Sequence, residues 1–448
     1  MSHEILCVGD IHLGREPGRV PANLLGKRGM CRADLSATEA WNRTVREALR
    51  REVSAVLLAG DVVDSDDGYL SAYAPLADGV RDLIRAGIAV IAVAGNHDTE
   101  VLPRLAEEID GLRLLGAKGR WDHQLIESNG TPLARVVGWS FPKRQVHQDP
   151  LEDLPADFAS GDFADGVTVP IIGLVHGDLD ATGGGYAPLS RKRLEGTNYS
   201  GWLLGHVHKP HDLSAERPLG YLGCLSGNDP GEAGVRGPWI AQLDKGRLAL
   251  EQLPLAPLRW DELEIDVDGA RAASELERTL MHALKSLDAQ RIAAGCEARV
   301  IGIRPVLTGR SGISARARAE VLRKAREQHY PGADGATYFF DRRLRDEARP
   351  LVDLEDLSRG TDPPSVMAQL VLELEADGAG CRALIERTRG RMQDEADHPN
   401  FTGMPAVEVT RDEARAALLR SGRAALEALF EQHIDYEVER LEPQGVTA

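Results

Sequence analysis

Aspartate, histidine and asparagine recur in five short segments of the first half of the chain. They are Gly9-Asp10-Ile11-His12, Gly60-Asp61-Val62-Val63-Asp64, Gly95-Asn96-His97-Asp98, Val175-His176-Gly177-Asp178 and Gly205-His206-Val207-His208. These side chains are the oxygen and imidazole donors that borderline-hard divalent cations prefer, and no thiol is among them. A hydrolytic metal centre acting on phosphoesters is the chemistry they suggest. A phosphodiester carries negative charge and has a poor alkoxide leaving group. Its hydrolysis near neutral pH needs hydroxide, neutralisation of the phosphoryl oxygens and a proton for the departing oxygen. Two metal ions about 3.5–4 Å apart supply the first two.

Each donor has a task in such a centre. One carboxylate must bridge the ions to screen their repulsion, and Asp61 is the candidate. Asp10 and His12 are two residues apart, so on an extended strand tip both face one way and chelate one ion. His206 and His208 repeat the spacing and are expected to serve different ions. Asn96 offers a neutral oxygen that limits the charge at the second ion. His97 has no evident ligand role, and a protonated imidazole there would pass a proton to the leaving group. Taken singly these fragments are commonplace: a lone Gly-Asp, a lone His-x-His or a buried histidine such as His176 is most often structural. The ordered set is what points to a metallohydrolase.

The elements that must hold these residues are legible as apolar runs. Residues 4–8, 53–58 and 88–93 read as buried strands, each closing on a motif, with helices expected over 36–52 and 70–86. Ser36, with Glu39 three residues on, is the expected cap of the first helix. Strand–helix–strand alternation argues for an α/β layer structure with parallel pairing, in which functional groups gather at the carboxyl ends of strands. Further strands are expected at 133–141, 168–175 and 201–205, the last two again feeding histidine loops, with closing strands within 219–241. After Pro254–Pro257 the pattern changes to strand, helix (270–288) and strand (297–303), and from about 350 onward it is mostly helical, ending in a long helix over 411–440. Three segments follow: 1–254, 255–349 and 350–448.

The ordered motifs resemble those of the calcineurin-like metallophosphoesterase superfamily. The Asp10-Ile-His-Leu-Gly14 form, with Gly138-Trp-Ser-Phe141, Gly205-His-Val-His-Lys-Pro210, Ser226-Gly-Asn228 and Gly237-Pro238, is similar in particular to the SbcD-type DNA-repair exonucleases and their YhaO-like relatives. The resemblance covers residues 1–245 and is loose beyond. It implies one manganese ion held by Asp10, His12, Asp61 and His208, and a second held by Asp61, Asn96, His176 and His206. His97 would be the catalytic acid and Asp98 its orienting partner. It also implies a four-layer β-sandwich flanked by helices, a small α/β capping domain after it, and a helical C-terminal region that docks on an SbcC-like or YhaN-like ATPase with coiled-coil arms. Some relatives have histidine where this chain has Asp64, so the role of Asp64 stays open, as does homodimer formation.

The bulk numbers narrow the class. At 448 residues the chain is expected to divide into two or three domains. No apolar run approaches the roughly 18–20 residues of a membrane span and no basic-then-apolar leader opens the chain. The five cysteines, Cys7, Cys31, Cys224, Cys296 and Cys381, are scattered. They read as thiols of a reducing cytoplasm rather than as disulfides. A net charge of −17 argues against a protein that coats nucleic acid unaided, but not against local action on DNA. Arg15, Arg19, Lys27, Arg28 and Arg32 lie in the loop after the first motif. There they either hold phosphates beside the scissile bond or form an ordinary solvated loop. Lys143-Arg144, Arg191–Arg193 and a base-stacking Tyr186 are weaker candidates, and the basic run Arg304–Arg326 reads either as a solvated helix face or as a DNA-facing cap. Ala417, Leu418, Leu426, Leu429, Phe430 and His433 mark a packing face of the tail or a docking face for a partner helix. A DNA nuclease working with an ATPase is the first reading. A phosphatase or small-molecule phosphodiesterase is the second, and a non-catalytic scaffold the third.

Overall fold

In the first half of the chain, buried apolar runs too short for helices pair their backbone groups with other strands, and two sheets form there. A computed structural model describes residues 3–27, 29–181, 185–244, 246–351, 354–397 and 408–441. The chain opens with β1 (His3–Val8), α1 (Ala22–Lys27), α2 (Ala37–Arg51), β2 (Ala55–Ala59), α3 (Tyr69–Arg85), β3 (Ala89–Val93), α4 (Val101–Glu108) and β4 (Leu112–Leu114). A second sheet follows as β5 (Asp122–Ser128), β6 (Thr131–Trp139), β7 (Ile171–His176), β8 (Gly201–Gly205) and β9 (Leu219–Tyr221), after which β10 (Trp239–Asp244) and β11 (Arg247–Gln252) return to the first sheet. The first sheet has the order β11-β10-β1-β2-β3-β4 and the second β5-β6-β7-β8-β9. Strands β1 to β4 are mutually parallel, as are β6 to β9, and β10 pairs antiparallel with β1. The expected closing strands are thus divided, β9 finishing one sheet and β10 joining the other beside β1, with β11 at its edge.

Strand alternation explains why these runs are continuously apolar: both faces are covered. Ile5, Cys7, Leu57, Ile91 and Val93 face the second sheet's Val136, Ile172, Leu174 and Leu203. Leu6, Val8, Val56, Leu58 and Val90 face the other way, onto Trp41, Leu76, Val80 and Leu102 of the helices. The outer face of the second sheet, with Val137, Val175 and Leu204, is covered by Leu151, Phe163 and Leu194. This is the four-layer α/β sandwich expected. The Ser36 cap is also present, its hydroxyl accepting from the Glu39 backbone N–H.

The described residues form two compact units that interleave along the sequence rather than following one another. One takes residues up to Leu263, Leu284–Pro305 and Gln328–Leu344, and the other takes Glu264–Ala283, Val306–Glu327 and Arg345 onward. Within the first unit, Val20, Leu24, Leu25 and Leu35 of the basic loop pack on Leu258, Trp260, Val300 and Phe339. That loop is therefore tethered by an apolar anchor. Within the second, the basic helix Ala315–Arg326 spends much of its charge internally. Arg318 is buried against Asp346, and Arg323 pairs with Glu320 and Glu327. The helices Pro363–Glu375, Arg382–Ala396 and Arg411–Leu441 share a core of Leu374, Cys381, Ile385 and Ala414, with Leu418 packed against it. The side chains of Phe430 and His433 lie outside the described residues. Among the described residues no helix is long and apolar enough to cross a membrane.

Candidate metal centre

The five motifs leave the carboxyl ends of β1, β2, β3, β7 and β8, and parallel pairing within each sheet brings those ends to one edge. Backbone bonds then stitch the loops together. The His12 N–H donates to the Asp61 carbonyl (2.9 Å), the His97 N–H to Asp61 Oδ1 (3.0 Å) and the His206 N–H to Asp10 Oδ1 (3.0 Å). Asp10 and His12 are not on an extended tip, as their spacing suggested. They turn through left-handed backbone at φ 36° and 55°, and Asp61 and His206 also have positive φ, 45° and 108°. Such conformations cost on the order of 1–3 kcal/mol each. The loop-to-loop bonds hold them, and they swing all four side chains toward a common centre.

The donors converge as a cation site requires. Asp61 Oδ2 is 3.4 Å from His176 Nε2 and 4.0 Å from His12 Nε2, a central position between two groups of ligands. Donor atoms of Asp10, His12 and His208 lie within 4.8 Å of one another, as do those of Asp10, Asp61 and His176. Asn96 Oδ1 lies 3.0 Å from His176 Nε2 and 3.1 Å from His206 Nδ1. His12 Nε2 and His208 Nε2 face each other at 3.0 Å. Two nitrogens each about 2.1 Å from one ion and at right angles would be about 3 Å apart. Lone pairs aimed at each other across that gap repel unless a cation or a proton sits between them, so the donor set fits divalent metal.

Three of the four candidate ligand histidines are fixed through the other ring nitrogen, which leaves the inward nitrogen free for metal. His176 Nδ1 bonds the Ala59 carbonyl (3.0 Å), His206 Nε2 pairs with Asp178 (3.0 Å) and His208 Nδ1 with Glu232 (2.6 Å). His12 Nδ1 lies 3.1 Å from Asp64, off the line of a well-aligned hydrogen bond. Sequence reasoning gave Glu232 and Asp178 no role. Asp178 stood inside a quoted motif, whereas Glu232 is an acid in a glycine-rich turn with no local mark. Asp64, whose role was open, lies against His12.

The electrostatics agree with a site built around positive charge. Burial disfavours charge on Asp61, yet His176 and His12 beside it and the His97 N–H hold its carboxyl below the usual range. Burial likewise opposes charge on His176, but Asp61 and Asp10 outweigh it and raise the imidazole to about 9.

One expected role is corrected. Asp98 does not orient His97. It is fully buried and accepts from the backbone N–H groups of Val62, Val63 and Gly95, which locks the second motif to the third. The His97 ring is held instead through Nδ1 by the Asp64 carbonyl (2.9 Å), and it lies edge-on to His12 with ring centres 5.3 Å apart. Among the described side chains of the basic loop, only Arg15 is brought to the centre, 3.9 Å from Glu232. Arg19 is exposed, and the Arg32 guanidinium bonds the Pro17 carbonyl. Arg28 and the Lys27 side chain lie outside the described residues. Tyr186 is partly exposed, with its ring 5.6 Å from that of His206.

Residues 3–210 match the calcineurin-like phosphoesterase family, whose members hydrolyse phosphoester bonds with a binuclear divalent metal centre, and the donor groups gathered here are candidate ligands for such a centre. Among curated proteins, the chain is 27% identical over 236 residues to the metallophosphoesterase YhaO of Bacillus subtilis, a match covering 51% of this chain and 55% of that protein. It is 27% identical over 300 residues to the DNA double-strand break repair protein Mre11 of Aeropyrum pernix, covering 64% of this chain and 70% of that one. The match thus spans little more than half the length of YhaO. Among solved structures, TT1561 of Thermus thermophilus covers 56% of this chain and 99% of its own, at 15% identity and a TM-score of 0.34. A dimetal phosphatase from Danio rerio covers 56% and 95%, at 13% identity and also 0.34.

Proposed function

We propose that this protein is a metal-dependent DNA nuclease, an exonuclease that also opens hairpins, acting in DNA repair beside a coiled-coil ATPase. The observation that carries the reading is the convergence of Asp10, His12, Asp61, Asn96, His176, His206 and His208 on one centre. Its extension to DNA is supported by the likeness to Mre11, a double-strand break repair protein. In this reading Asp10, His12, Asp61 and His208 hold one ion, and Asp61, Asn96, His176 and His206 hold the other. Manganese is the expected metal. When bound, the ions supply hydroxide and neutralise the phosphoryl oxygens.

The chain's own groups do the rest. His97, with Nδ1 engaged by the Asp64 carbonyl, has Nε2 free to give a proton to the leaving oxygen. Asp98 keeps the loops bearing Asp61 and His97 in register. Arg15 at the rim takes a neighbouring phosphate. Tyr186 beside His206 offers a face on which a terminal base stacks.

The test is hydrolysis of end-labelled hairpin, duplex and single-stranded DNA in Mn, Mg, Zn or Fe, beside p-nitrophenyl phosphate and bis-p-nitrophenyl phosphate. Divalent-dependent shortening of DNA supports the reading. Turnover of the small esters alone would leave the phosphatase or small-molecule phosphodiesterase in its place.

A further inference from the structure

Glu232 is the most buried of the carboxylates that back the candidate ligands, its side chain 11% exposed against 25% for Asp178 and 40% for Asp64. Both of its oxygens are engaged. Oε1 lies 2.6 Å from His208 Nδ1, while Oε2 accepts from the Asn228 N–H at 2.6 Å and the Asp229 N–H at 3.2 Å. The carboxylate is therefore fixed by the backbone of its own turn, and through it the turn fixes an imidazole 24 residues away. Arg15 Nη1 stands 3.9 Å from the same Oε1, which ties the rim of the centre to the same anchor.

We propose that Glu232 is a positioning residue for one ion of the pair, that of Asp10, His12 and His208. By accepting from His208 Nδ1–H it sets the tautomer in which Nε2 carries the lone pair. That nitrogen faces His12 Nε2 at 3.0 Å. Without the carboxylate the ring has neither a fixed tautomer nor a fixed rotation, and its inward nitrogen is no longer committed to metal. The ion grouped with Asn96, His176 and His206 has no part in this contact, because its histidines are held by Ala59 and Asp178. Loss of Glu232 should therefore divide two otherwise coupled binding events. The proposal deepens the metal-centre reading and rests on it.

A competing geometry is available. Donor atoms of His208, Cys224 and Glu232 also lie within 4.8 Å of one another, as a separate ion site would require. The two oxygens of Glu232 are already committed to N–H donors, which favours a positioning role over a ligand role.

The test is calorimetric titration of the metal-stripped full-length chain with Mn²⁺. Glu232→Ala should weaken one of two binding events by about 10–100-fold, with the other unchanged. Glu232→Gln, which keeps shape and one acceptor oxygen, should weaken the same event less, and it serves if the alanine variant does not fold. In a His208→Ala background, Glu232→Ala should cost no further affinity, because it acts only through that ring. Unchanged binding in Glu232→Ala overturns the proposal and leaves the two-metal reading intact. So do equal losses at both events, additive losses in the double variant, or a third wild-type ion abolished by Cys224→Ser. A wild-type chain that takes up no divalent ion overturns both readings.

Discussion

At the residue scale, the centre is a set of side chains of which His176, His206 and His208 are held from behind. Asp61 is the residue on which most converges: it meets His176 and His12 through one oxygen and the His97 N–H through the other. Asp61→Ala is expected to lose both ions together, and elemental analysis finding two metals retained per chain would refute the bridging role. His97 is different in kind, because its side chain is held by the Asp64 carbonyl and gathers no ligand, while its bond to Asp61 is made by the backbone N–H that any residue keeps. His97→Ala should keep the metal content of wild type and lower kcat by about 10²–10⁴-fold, the range of a lost general acid. Equal turnover in wild type and variant would remove His97 as the acid, whereas a wild type with no Mn-dependent cleavage and a variant that behaves identically would favour the scaffold reading. Among the basic residues, Arg15 reaches the centre, so Arg15→Ala should raise KM for DNA and reduce its salt dependence more than Arg19→Ala does.

At the element scale, the site depends on how closely the two sheets approach at their carboxyl edge. A Cβ on Gly205 would collide with the carbonyl oxygen of Ala59, the same oxygen that holds His176 Nδ1. Gly205→Ala should therefore cost about 1–3 kcal/mol by overpacking and displace the His206 loop. Urea unfolding read beside metal content separates the two effects, and a variant as stable and metal-replete as wild type would argue against this contact. Far from the centre, Ser36→Ala should cost about 1 kcal/mol through loss of the α2 cap and leave metal binding untouched. The basic helix Ala315–Arg326 was expected either to be solvated or to face DNA. The ion pairs of Arg323 with Glu320 and Glu327 favour the solvated account. Reversing Arg316 and Arg323 should accordingly change DNA affinity little across a salt titration.

At the scale of the whole molecule, stability and metal should be linked. A cation bound by loops from five strands binds the folded chain far better than the unfolded one. Saturation at 100 times Kd is then worth about 2.7 kcal/mol. Chelation should lower Tm by several degrees and manganese should restore it; identical melting curves with and without chelator would count against a preformed site. The second unit has a core of its own around Leu374, Ile385 and Ala414. The chain therefore carries more structure than the matched 3–210 segment.

By itself, the sequence marked the buried strands and the candidate ligands at their ends, while the layered sandwich was implied by the family resemblance. Apolar runs such as Ile5–Val8 and Val56–Leu58 can be buried only between layers, and a Gly-Asp or Gly-His step at the end of a strand marks where the backbone turns out toward a site. It could not determine which groups stand behind the ligands. Glu232 meets His208, and the Ala59 carbonyl meets His176, across separations of 24 and 117 residues that leave no local pattern. It also misled twice: Asp98 looked like a partner for the histidine beside it, and Asp10 and His12 looked extended. Neighbours in sequence share a backbone direction, but their side chains go where the tertiary contacts send them. Three buried N–H groups drew Asp98 away, and bonds between the loops forced the first motif into a left-handed turn.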